Sequence, residues 1–476
     1  MVNQRLLLSG SLLYFIAIFY SAWGGDGQPL PIDLYLIGIG VAFAGYFVAC
    51  ISVFRCESDA RHSIGIRAGQ FVLLLVIASR LMMVTAPARF NSDVSRYVWD
   101  GFLVCQGVNP YQYAPSDSAL DAVRDQALYS DLKEEFNDIR TVYGPVAMFC
   151  FATSHQLDWL VSNPHHRIRL LVTLGDLLTI VILSMVLMRL GYSQLYCLVY
   201  AMNPLLLDAL AQRGQMEGFL LPWLALGLYF LARRRWIGVG FALAMAAATK
   251  INLLILPTIV FAALIRNDRK ACIPFAITFS SVFLLAHWPV FSIGLEGCSG
   301  LIRYAANWKT NGSLFSIVEL LVNDSFARII VAVAFFAIWF WRIVAIARSE
   351  SDSVSISDSI CKEWALLIVV LLMLSPAVFP WYLTWVLPLV AIISVNPKNR
   401  YFFWMTGLWS MTSFAWYLNF VVRDPQIECY FDDLRSNLMI LSRNLTEPWR
   451  ILEYSLVYGC LLVYLFNFLK NRGTVQ

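Results

Sequence analysis

Asp93, Arg96, Tyr97 and Asp100 stand at i, i+3, i+4 and i+7, so a helix would carry them on one face. A carboxylate there, shielded by Tyr97 and Trp99, can serve as general base for an incoming hydroxyl. The same spacing equally suits a surface Asp–Arg pair at a helix start. Far along the chain, Lys250 interrupts an otherwise apolar stretch. An ionisable side chain at membrane depth is costly without a partner, so Lys250 either binds an anion or reaches back to the lipid headgroups. Glu217 follows an apolar segment and suits either hydrogen bonding to hydroxyls or simple solvation. His155, His165 and His166 lack i, i+4 pairing on a carboxylate helix and read as interfacial, not as zinc ligands. Ten cysteines show no paired metal spacing.

The elements that must position these groups are membrane helices. Of the 476 residues, 59% are hydrophobic and 14% charged, where soluble proteins carry about 25% charge. That excludes an ordinary soluble enzyme and a disordered scaffold. A net charge of +4 without a basic tract argues against a nucleic-acid partner. The 16 Trp and 21 Tyr suit aromatic belts at a lipid interface. Stretches 6–23, 32–54, 66–86, 168–188, 194–210, 216–232, 272–291, 326–346, 401–421 and 449–469 each approach the roughly 20 apolar residues a span needs. The first reads as an anchor, because no small-residue cleavage site follows it.

Charge in the loops sets the direction. Arg233, Arg234 and Arg235 precede 236–265, and Arg266, Arg269 and Lys270 follow it. Cationic loops stay cytoplasmic, so this stretch must go out and back, turning at Lys250. Stretch 363–395 does the same, broken at Ser375-Pro376 and Pro380-Trp381. Stretch 143–161 is expected to lie in the membrane plane on the outer face. The expected fold is an all-α polytopic membrane protein of about 12–14 spans, with both termini cytoplasmic. Its parts are three spans in 1–86, an outer loop with interfacial helices in 87–167, a membrane module in 168–292, an outer loop in 293–325, and further spans in 326–476. The polar stretch 349–359 reads as a cytoplasmic linker.

Several short motifs follow one another along this frame. Arg89-Phe90-Asn91-Ser92-Asp93-Val94-Ser95-Arg96-Tyr97-Val98-Trp99-Asp100-Gly101 is followed by Asn109-Pro110-Tyr111-Gln112-Tyr113 and by Tyr143-Gly144-Pro145. Together they resemble the first outer loop of bacterial membrane glycosyltransferases of the GT-C superfamily, in particular the polyprenyl-phosphate-mannose-dependent mannosyltransferase branch. Asn203-Pro204-Leu205 with Arg213-Gly214-Gln215-Met216-Glu217, then Ala246-Ala247-Ala248-Thr249-Lys250, continue the likeness. So do Tyr304, Trp308, Asn311 and Ser313, and finally Ser375-Pro376 with Pro380-Trp381-Tyr382. The charge-derived topology independently puts Asp93, Glu217, Lys250, Arg303, Trp308 and Trp381 on the outer face.

The resemblance implies a GT-C-like bundle that transfers a sugar, mannose by family likeness, from a polyprenyl-phosphate donor to a glycolipid or glycan acceptor. It implies a bacterial inner membrane with the site facing the periplasm. Asp93 would be the general base of an inverting displacement. Lys250, with Arg303 or Lys309 beside it, would meet the donor phosphate. Arg96, Tyr97, Asp100, Asn109, Tyr111, Tyr143, Glu217, Trp308, Asn311, Trp381 and Tyr382 would contact substrate. Interface anchoring remains open for each aromatic residue. No cofactor is implied. A divalent cation on Asp93, Asp100 and Glu217 is conceivable but not favoured, because a Lys/Arg pair can neutralise one phosphate. Arg80 reads as a helix-end partner for Asp93. Two other classes are a lipid-linked glycan flippase and an O-antigen ligase or polymerase. The first wants inverted repeats and midplane breaks, and the second a late outer loop with paired Arg and His, where 423–450 offers acids but no His.

Overall fold

The structure is a computed structural model. It describes residues 2–25, 28–58, 66–87, 92–348, 356–423, 427–431, 433–434, 438–439 and 449–473. The opening of the first-loop motif at 89–91, most of 423–450 and most of the 349–359 linker lie outside the described residues. Among the described residues, six helices are long and apolar enough to cross a membrane: Asn3–Trp23, Ile32–Arg55, Arg67–Thr85, Pro164–Arg189, Arg269–Ala286 and Asp324–Arg348. A bent pair, Gln194–Ala201 with Pro204–Gln212, makes a seventh, and four shorter apolar helices accompany them. Among the described residues, other expected crossings, such as 194–210 and 236–265, are bent or made of shorter apolar helices. Ile273, Ile277, Leu284, Phe336 and Phe340 point outward and are exposed. Such a continuous apolar exterior suits lipid and not water. The chain is an all-helical, multi-pass membrane protein.

Two expected hairpins break where the sequence suggests. Trp236–Thr249 ends at Lys250, whose backbone is extended, and Ile255–Asn267 returns after one 3-10 turn. Ile356–Leu374 stops before Ser375, and the 3-10 turn Pro380–Trp385 leads into Leu387–Ile393. Thr310 of the 293–325 segment bonds to both sides of this break, its N–H to Pro376 O at 3.1 Å and its carbonyl to Val378 N–H at 2.9 Å. The loop that carries Trp308 is thus tied to the turn that carries Trp381.

The bent span is held by buried arginines. Asn203 caps the second half by accepting the Leu205 N–H at 3.0 Å, and Pro204 cannot continue the first. The freed carbonyl of Ala201 takes Arg80 Nη1 at 2.9 Å. Arg80 is not a partner of Asp93. Its Nε pairs with Asp176 at 2.7 Å inside the bundle, and Tyr200 donates to the same carboxylate at 2.7 Å. Within the membrane a charge persists only with such a partner, and Asp176 supplies it. The second half then widens into a π-helical turn, Leu207–Gln212. Arg169 closes that turn by donating to Ala211 O at 3.0 Å. Gly214 follows with φ +68°, a left-handed conformation open to glycine at no steric cost. The reversal delivers Arg213, Gln215 and Glu217 to one end of the bundle.

The segment that follows the third helix is pressed onto that end. Pro145–His155 spans 11 residues, about 16 Å of helix, too short to cross. It packs against Ser92–Cys105, while Trp99, Phe102, Leu103, Leu120 and Leu132 form a small core of their own. Gly144 lies against the end of Trp236–Thr249, where a Cβ would sit 2.2 Å from Ala248 O. Only glycine permits this approach, and it sets Tyr143 beside the Lys250 break.

Candidate functional site: two cations on an aromatic floor

The turn Pro380–Trp385 lays aromatic rings under two cations. Lys250 Nζ lies 3.9 Å from the Tyr382 ring centre and 4.9 Å from that of Trp385. Arg213 lies 4.7 Å from Trp381 and 5.1 Å from Tyr417. Ring faces are negative, so both cations are stabilised there, by up to about 2 kcal/mol when desolvated. Each cation also has an acid within its network. Glu217 Oε1 takes Lys250 Nζ at 2.7 Å, and the Glu217 side chain is fully buried. Arg213 Nη1 donates to Tyr417 Oη at 2.5 Å, and Tyr417 in turn donates to Asp208. Tyr35 donates to the other Asp208 oxygen at 2.5 Å.

Asp93 enters this chamber from the first turn of Ser92–Cys105, partly buried. Burial raises its pKa above the ordinary carboxylate value, against the charges of Arg213, Lys133 and Lys250 and a hydrogen bond from Gln215. These opposing groups come from three distant parts of the chain and surround one carboxylate. Tyr97, one turn on, donates to Gln215 Oε1 at 3.0 Å and stacks on Phe151. Burial makes this carboxylate more basic and the facing cations favour its charged form, and both suit proton abstraction from a hydroxyl.

The remaining expected residues divide into near and far. Tyr143 packs edge-on against Tyr97 with ring centres 4.9 Å apart. Tyr304 Oη meets Tyr382 Oη at 3.0 Å, and Trp308 stacks on the Tyr304 ring. Arg96 and Asp100 instead turn to the loop. They pair at 2.9 Å, and Arg96 Nη1 also donates to Phe136 O and Ile139 O. Asn109 donates to Pro289 O and accepts the Tyr111 N–H, while Tyr111 Oη donates to Tyr143 O. Arg303 reaches Asp138 O at 2.7 Å. Lys309 is held by Glu319 and Asp324. Asn311 is buried with φ +51°, its amide donating to Glu453 Oε2 at 2.7 Å. Asn311 is therefore committed to a protein partner, while Arg303 and Lys309 are exposed with one or two partners each. Among the described residues, no three His, Cys, Asp or Glu side chains meet in a group that could hold a metal ion.

Arg213, Gln215, Asp208, Trp385 and Tyr417 were not singled out from the sequence. Arg213 and Gln215 did lie inside a quoted motif, and an arginine or aspartate between apolar spans is the available signal. Beside the chamber lies an apolar cavity of about 1030 Å³. It reaches Ile251 and Asn252 next to Lys250, Ala305 next to Tyr304, and Pro376, then runs between helices past Phe261, Ala332 and Phe335.

No curated protein matches the chain. Among solved structures, ArnT from Cupriavidus metallidurans bound to undecaprenyl phosphate is similar at 16% identity over 83% of this chain and 76% of that one, with a TM-score of 0.43. That likeness is too distant to bear on the site. Residues 25–266, half of the chain and the part that carries Asp93, Arg213, Glu217 and Lys250, match the N-terminal domain of the MptA_B family, described as alpha-(1->6)-mannopyranosyltransferase. The chain belongs to this family of glycosyltransferases.

Proposed function

We propose that the protein transfers a mannosyl residue from a polyprenyl-phosphate donor to a hydroxyl of a glycolipid or glycan acceptor on the outer, periplasmic side of a bacterial inner membrane. The observation that carries this reading is the placement of Asp93 and the Lys250–Glu217 pair in one chamber beside an apolar cavity. A donor with a sugar, one phosphate and an isoprenoid tail has the same order of chemistries. The tail would lie between the helices, and the phosphate would meet Lys250, whose ammonium is partly exposed and has N–H groups beyond the one Glu217 takes. Arg303 and Lys309 stay secondary candidates beside it, Arg303 with one bond to Asp138 O and Lys309 facing Glu319.

In the step itself, the acceptor hydroxyl oxygen forms a bond to the anomeric carbon, and the bond from that carbon to the phosphate oxygen breaks. The hydroxyl proton passes to Asp93. The electron pair leaves on polyprenyl phosphate, where the Lys250 ammonium opposes the growing charge. One displacement inverts the anomeric centre, so a β-linked donor gives an α-linked product. The test is labelled polyprenyl-phosphate mannose given to purified protein in lipid with a glycan acceptor. Label appearing in a new glycosidic linkage is the expected result. Label that crosses the bilayer still attached to its donor would replace this reading with a flippase.

A further inference from the structure

Glu217 is used on one side only. Its Oε1 holds Lys250 at 2.7 Å, while Oε2, equally buried, has no hydrogen-bond partner among the described residues. A buried carboxylate oxygen left without a donor costs free energy, so it is a place where an O–H or N–H from outside the protein gains most. The side chain does not swing freely. It opens helix Glu217–Ala232 directly after the left-handed Gly214 turn, and Lys250 holds its other oxygen. We propose that Glu217 Oε2 accepts a hydrogen bond from the C2 hydroxyl of the donor sugar, and so selects the configuration at that carbon. This rests on the donor reading above and adds which group of the sugar is read.

The assignment follows from connectivity. If Lys250 meets the phosphate, a group bonded to Lys250 must face the part of the sugar nearest that phosphate. The phosphate oxygen sits on C1. Of the two ring neighbours of C1, one is the ring oxygen, which has no hydrogen to give. The other is C2, and its hydroxyl is the nearest donor. Mannose and glucose differ only in the direction of that hydroxyl. Tyr304 and Tyr382 bond to one another through their hydroxyls at 3.0 Å, so each of these hydroxyls already has a partner. A site built to pair with a hydroxyl discriminates strongly against a sugar that lacks or misplaces it.

The experiment compares three donors with one tail, mannosyl, glucosyl and 2-deoxymannosyl, in wild type and Glu217→Gln. Removing the C2 hydroxyl also makes C1 ionise more readily, so the quantity read is the ratio of kcat/KM ratios between the two proteins, in which intrinsic reactivity cancels. Weakening of Lys250 in Glu217→Gln affects all three donors alike and cancels too. The wild-type preference for mannosyl over each other donor is expected to exceed that of Glu217→Gln by about tenfold or more. Should Glu217→Gln not fold, Glu217→Asp, which keeps the charge and draws the oxygens back, must lose part of the same preference. Equal preference in wild type and Glu217→Gln overturns the assignment, as does a wild type indifferent at C2. A wild type that transfers from none of the three donors fails at the donor reading itself, and the assignment falls with it.

Discussion

At the residue scale, charges that oppose one another govern the site. Burial raises the pKa of Asp93, while Arg213, Lys133, Lys250 and Gln215 restrain the rise. The base acts when ionised, so activity should fall as pH drops through a value above the ordinary aspartate pKa of about 3.9. Removing one of the cations removes a restraint, which moves that value upward. Arg213→Gln is therefore expected to shift the acid limb of the kcat/KM profile to higher pH. An unmoved limb, or one moved downward, would separate Arg213 from Asp93. The partners of Arg80 and Asn311 were hard to read from the sequence for one physical reason. Arg80 finds Asp176 across 96 positions, and Asn311 finds Glu453 across 142. No local spacing encodes such partners. Lys309 differs, with its partner Glu319 only 10 positions on.

At the element scale, breaks and close approaches do the positioning. Lys250 and the 375–379 region stood out in the sequence as interruptions of apolar runs, and the structure has helix ends at both. What spacing alone left hidden was how tightly the Tyr143–Pro145 segment lies on the first of them. Gly144 sits where a Cβ would come 2.2 Å from Ala248 O and 2.7 Å from Thr249 O, with rigid backbone on the other side. Gly144→Ala must push the loop off the Lys250 break. Overpacking of this kind costs about 1–3 kcal/mol, so a lowered thermal midpoint in detergent is expected together with weakened transfer. Unchanged stability and activity would mean that the loop is not seated closely on the Lys250 break. The expected single face of Asp93, Arg96, Tyr97 and Asp100 also divides by element. Asp93 and Tyr97 turn to the Gln215 segment, while Arg96 and Asp100 brace the 136–139 loop.

At the scale of the whole molecule, composition made the membrane bundle legible, and the ordered motifs made the family legible. The span count was less so, because helices such as Trp236–Thr249 and Pro380–Ile393 are shorter than a full crossing. The cavity was not legible either, since its walls come from helices between 251 and 376. If it houses the isoprenoid tail, narrowing it should penalise long donors most. Ala332→Phe, in the cavity wall, is expected to raise KM for a long-chain donor while leaving a donor of two isoprene units nearly unaffected. Equal penalties for both lengths would place the tail elsewhere.

The most direct measurement is transfer of labelled mannose by purified wild type and by Asp93→Asn in the same lipid. Asparagine keeps the shape and removes the basic oxygen. General-base contributions run to about a hundredfold or more, so the expected outcome is a folded Asp93→Asn protein that binds donor yet transfers at least a hundredfold more slowly. A folded Asp93→Asn protein that transfers at the wild-type rate would rule out Asp93 as the base.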